Sequence, residues 1–99
     1  MPLWSTARGS AARLLVGRGP LELWSWTLAA GDRRDSDPHR PGSVELLSVR
    51  AGVVTLEVGD DRADVGSGDS AWFDATRRHA YINPGTIEAS FTLVVLEPA

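Results

Sequence analysis

The chain has 99 residues, 42% of them hydrophobic, with a net charge of −3 and a pI of about 5.2. That length suits one domain without a second core, and the acidic balance gives no general attraction for phosphate backbones. With no cysteine, a disulfide framework, a thiolate zinc cluster and a thiol nucleophile are excluded.

Residues 1–20 read as a segment that leads into the main domain. Within it, residues 11–16 are expected to be a strand, because Gly9, Gly17 and Gly19 bracket them too closely for a stable helix. Residues 21–28 (Leu-Glu-Leu-Trp-Ser-Trp-Thr-Leu) alternate, with Trp24, Trp26 and Leu28 on one face, and stop at Ala29-Ala30-Gly31. Further strands are expected at 45–49, 53–58, 62–65, 71–73, 79–83 and 89–96. Gly59-Asp60-Asp61, the Gly66 to Asp69 run and Asn83-Pro84-Gly85 supply the turns between them. Strands this short, recurring about every ten residues, argue for an all-β sandwich or closed barrel. No apolar run reaches the about 20 residues of a membrane-spanning helix, so the chain is read as soluble and cytoplasmic.

All ten basic residues are arginines. They are scattered, with doublets only at Arg33-Arg34 and Arg77-Arg78. Neither doublet is a nucleic-acid patch, so any action on DNA requires a part outside these residues. There is no Gly-x-Ser-x-Gly elbow and no lysine for a Schiff base. A phosphate loop is also missing, since Gly66-Ser67-Gly68-Asp69 carries an acid where a lysine would sit.

Two segments stand out. The first runs from Gly31 through Asp37-Pro38-His39-Arg40-Pro41-Gly42 to Glu45 and Gly52. The second runs from Gly68 through Asp74, Thr76, Arg77 and Arg78 to His79 and Asn83. Together they resemble the paired motifs of the cupin superfamily, the first holding a His-x-His pair and a Glu, the second a Pro-x-Gly and a His. Gly31, His39, Glu45, Gly52, Gly68, His79 and Asn83 fit that pattern. Asp37 stands where the first His of the pair would be, and Asp74 and Thr76 replace the Pro and Gly. A narrower likeness rests on residues 21–28, Pro38 to Gly42, 56–59 and 91–98. These look like the C-terminal cupin domain of bacterial XRE-type helix-turn-helix regulators.

The resemblance implies an all-β fold, a small cupin barrel (a double-stranded β-helix or jelly roll), over residues 21–99. It also implies a domain that senses a small effector for a regulator whose DNA-binding domain lies outside this chain. A stand-alone metal-dependent cupin enzyme of dioxygenase or isomerase type is the alternative. His39, Glu45 and His79 are the expected metal ligands for Fe, Mn, Ni or Zn, with Asp37 as a fourth. Asp37 and His39 would then share a strand face, two residues apart. An organic effector held by the same histidines without metal is the competing reading. Tyr81 is expected in the pocket wall beside His79, and Phe73 points inward with Trp72 outward. Trp26 is a candidate to stack on a ligand, with buried packing as its competing role, and Arg78 is a candidate for an anionic group at the mouth. Leu3, Trp4, Leu14, Leu15 and Val16 have few obvious core partners, so a homodimer that covers them is expected.

Overall fold

The computed structural model describes residues 3–99, and among these there are ten strands and no helix. In chain order they are β1 (Trp4–Ser5), β2 (Ala11–Arg18), β3 (Leu21–Leu28), β4 (Arg33–Ser36) and β5 (Val44–Ala51). Then follow β6 (Val53–Val58), β7 (Asp61–Gly66), β8 (Ser70–Asp74), β9 (His79–Ile82) and β10 (Ala89–Leu96). They form a six-stranded sheet in the order β1-β2-β3-β10-β5-β8 and a four-stranded sheet in the order β4-β9-β6-β7. Every pairing is antiparallel. This is the expected jelly roll. The strand expected at residues 11–16 is β2, which pairs with β3 and widens the larger sheet.

Alternation decides what each sheet buries. On β10 the residues Ala89, Phe91, Leu93 and Val95 are buried, while their neighbours Ser90, Thr92, Val94 and Leu96 are only half-buried. Phe91, Leu28, Leu47, Val49 and Val54 form the driest part of the core, each contributing roughly 1.5–3 kcal/mol by burial. Trp26 stacks on Phe91 at 5.7 Å between ring centroids, with 10° between planes. Gly52 turns the chain from β5 into β6 at φ +80, and a Cβ there would lie 3.0 Å from the Cα of Ala89. Only glycine allows both the left-handed backbone and that close approach.

The outer face of the larger sheet departs from the usual polar pattern. One cross-strand row is polar: Ser70, Ser48, Thr92, Ser25 and Arg13. The next row is Trp72, Leu46, Val94, Leu23 and Val16, all apolar. Trp72 is 72% exposed and Leu46 49%.

Two expectations about the first motif change. Residues 33–36 form β4, an edge strand against β9 that the alternation of the sequence did not reveal, since its four residues are Arg-Arg-Asp-Ser. The strand then stops at Ser36, so Asp37 and His39 are not two positions of one strand. Pro38 has no N–H for a sheet ladder, and the backbone N–H of His39 bonds instead to the carbonyl of Ala75 at 2.8 Å.

Candidate functional site

Glu45 lies on the inner face of β5, opposite Phe73 of β8 and Val95 of β10, and is 1% exposed. His79 and Tyr81 point inward from β9, two residues apart on the opposing sheet, and both are buried. His39 reaches the same place from the loop after β4. A carboxylate so deeply buried must be partnered, and this one is. The Tyr81 hydroxyl donates to its Oε1, while its Oε2 lies 3.4 Å from His39 Nε2 and 3.3 Å from His79 Nε2. Burial raises the Tyr81 pKa well above its ordinary value, reinforced by the Glu45 charge, so the phenol remains a donor. The imidazole rings stack with centroids 5.3 Å apart, close enough for one ion to reach both through metal–nitrogen bonds of about 2.1 Å.

The other ring nitrogens settle the chemistry of this cluster. His79 Nδ1 lies 2.9 Å from the carbonyl of Arg77, and a carbonyl can only accept, so Nδ1 carries the proton. In the neutral ring Nε2 then holds a lone pair. That atom is buried and has no hydrogen-bond partner, its approach to Glu45 being within ion-pair distance without hydrogen-bond geometry. His39 Nδ1 lies 2.6 Å from Glu97 Oε2, which orients its Nε2 toward Glu45 in the same way. Two imidazole Nε2 atoms and one carboxylate oxygen, all within 4.8 Å of one another, suit a divalent transition metal. The carboxylate–histidine and carbonyl–histidine bonds behind them are the usual outer supports of such ligands. Burial opposes charge on His79, but the Glu45 carboxylate and the Arg77 carbonyl outweigh it, and its pKa is raised.

The cluster opens onto a cavity of about 230 Å³ between the sheets. Trp4, Trp24 and Trp26 form its aromatic wall, with Tyr81 beside the histidines and Glu22 and Arg34 also lining it. Trp26 packs on Phe91 as its competing role expected, and it also lines this space. Phe73 is buried as expected, but its ring packs against His79 at 5.0 Å rather than facing the cavity. Asp37 and Arg78 are both exposed and line a separate open hollow over Asp35 and Glu57. Neither joins the histidine cluster. Asp37 misses it because the chain has left the strand, and Arg78 because it precedes inward-facing His79 and so points outward.

Sequence reasoning did not find Glu97, Arg34 or Trp4. Glu97 meets His39 across 58 positions of the chain, and no local pattern announces such a pairing. Arg34 did leave a signal in hindsight. It lies directly opposite Tyr81 in the β4–β9 register, so once β4 is recognised its side chain must face inward with Tyr81.

A two-sheet antiparallel roll with two histidines and a glutamate gathered between its sheets defines a class of small barrels built around an interior site. The chain belongs to the cupin family, for residues 24–96 match the family described as Cupin_2: Cupin domain. No curated protein matches it in sequence. Among solved structures it is similar to the Cupin_2 domain of an XRE family transcriptional regulator from Enterobacter cloacae. There the TM-score is 0.85 at 20% identity, covering 91% of this chain and 98% of that one. It is also similar to an HTH_3 family transcriptional regulator from Vibrio cholerae (TM-score 0.83, 22% identity), covering 91% of this chain and 52% of that one. The chain therefore spans about half of the Vibrio protein. A predicted oxalate decarboxylase from Thermotoga maritima has the same fold at 15% identity and a TM-score of 0.77, covering 89% of this chain and 80% of that one.

Proposed function

We propose that this domain senses a small molecule for a transcriptional regulator, with the effector held in the cavity beside a divalent metal. The observation that carries this reading is the juxtaposition of a His39–Glu45–His79 donor set with a tryptophan-walled cavity. The likeness to the regulator domain from Enterobacter cloacae, which spans nearly all of that chain, supports it. His39, Glu45 and His79 would hold the metal, which supplies a Lewis-acid position for an oxygen of the effector. The acidic balance and the scattered arginines favour DNA contact through another domain rather than through this one. The test is genomic and biochemical together. A helix-turn-helix coding region in frame immediately upstream, with metal found by elemental analysis of the purified domain, is expected. A native start at Met1 among catabolic genes would overturn the regulator role.

The second reading, a metal-dependent enzyme, is favoured by one observation: the donor set is a complete two-histidine, one-carboxylate group. Turnover of a small acid by the metal-loaded domain would establish it. The proposal also includes a homodimer. Leu15 and Val16 on β2 are 53% and 58% exposed, and Leu3 is 65% exposed. An apolar strip at a sheet edge favours association. Light scattering at micromolar concentration should return twice the 10.6 kDa chain mass, and the monomer mass would refute the dimer.

A further inference from the structure

The carboxylates that line the cavity are satisfied, and some of the donors beside them are not. Each carboxylate there already has a donor. Glu22 accepts from the Trp24 indole at 3.1 Å, Glu97 engages His39, and Glu45 accepts from Tyr81. Two donors stand out among those without a partner. The indole N–H of Trp26 is buried without a partner. Arg34 has no ion pair or hydrogen bond among the described residues, although the register opposite Tyr81 turns it into the interior. Its guanidinium carbon sits 5.3 Å from the centroid of the Trp4 ring, a cation–π contact that holds the group in the wall without satisfying its N–H donors. An unmade hydrogen bond from a buried indole is costly. The indole and the guanidinium both call for an acceptor.

We infer that the cavity takes a small monocarboxylate with an apolar body, and that Arg34 is its counter-charge. This rests on the reading of the cavity as the effector site and names the chemistry of that effector. A guanidinium presents two parallel donors that match the two oxygens of a carboxylate. Among the described residues that line this space, Arg34 is the one arginine and has no ion pair, so it offers a two-pronged donor to a single carboxylate, and the nearby Glu22, Glu45 and Glu97 disfavour a second negative charge on the ligand. The flat indoles of Trp4, Trp24 and Trp26, with Leu93 and Val95 beside them, leave the rest of the ligand an apolar surface to bury.

The experiment is thermal shift and calorimetry on the purified domain, metal-loaded and metal-depleted. The probes are butanoate, benzoate and phenylacetate, each beside its amide. At least one acid should raise the melting temperature while its amide does not. Arg34→Met should weaken that acid at least tenfold, Arg34→Lys should keep part of the response, and the metal content of both variants should match the parent. Amides that bind as well as acids, or an Arg34→Met variant that binds the acid unchanged, would overturn the role of Arg34 and leave the effector site standing. If neither acids nor amides shift the melting temperature, the carboxylate proposal and the effector-site reading both fall.

Discussion

The two histidines of the cluster sit in unlike surroundings. His79 belongs to a strand of the smaller sheet, its side chain has no exposed surface, and a backbone carbonyl two residues away orients its ring. His39 sits on a loop, its side chain is 25% exposed, and the side chain of Glu97 orients it from the C-terminal end of the chain. One histidine is therefore part of the core, set by the same hydrogen-bonded frame that holds the sheet together. The other is held in a fold that would exist without it. A site built this way can adjust at one side while its floor stays rigid, and the adjustable side is the one that faces the cavity.

That contrast breaks most clearly at His79. His79→Ala should abolish metal uptake and cost roughly 2–4 kcal/mol of stability, because it leaves a hole in packed surroundings and deprives buried Glu45 of a neighbour. Far-UV circular dichroism should still report the sheets. His39→Ala should abolish uptake equally at a cost of only about 1 kcal/mol. Equal destabilisation by the two variants in chemical unfolding would contradict the difference in their settings. Glu97→Gln sharpens the comparison further. It removes the charged partner of His39 Nδ1 and should weaken the metal about 10–100-fold, with the fold intact; a metal titration that matches the parent would exclude Glu97 from the site.

Acidity tests the same pair. The raised pKa of His79 means that the folded metal-free chain binds this proton more tightly than the unfolded chain. Its contribution is fully present below about 6.5 and is lost as pH rises through the folded value. Metal requires the neutral ring, so the stabilisation that metal adds should grow over that range. Melting temperatures measured from mildly acidic to mildly alkaline pH, with and without Mn(II), should slope in opposite senses, and parallel slopes would count against a histidine-bound metal. The smallest effect is expected at Asp37, which is exposed and outside the cluster. Asp37→Ala should leave metal affinity unchanged and stability within about 0.5 kcal/mol, and a clear loss of affinity would return Asp37 to the ligand set.

Much of this was written in local pattern. The alternation of residues 21–28 and 89–96 fixes which side chains each strand can bury, because period-two geometry is a property of the backbone alone. His39, Glu45 and His79 stood out for the same reason that they come together, since the motif spacing that marks them also sets the strands and turns that carry them. Phe73 inward and Trp72 outward follows from adjacency on one strand. The tertiary structure decided what adjacency cannot reach. Arg33–Ser36 has no apolar alternation and becomes a strand only because β9 offers an edge to pair with. That pairing turns Arg34 into the cavity, and the end of the strand at Ser36 leaves Asp37 in solvent. Glu97 meets His39 only because β10 runs antiparallel to β5 and delivers the C-terminal residues beside the loop after β4. Contacts between distant segments depend on how the sheets close, and that closure is a property of the packed whole rather than of any window of the chain.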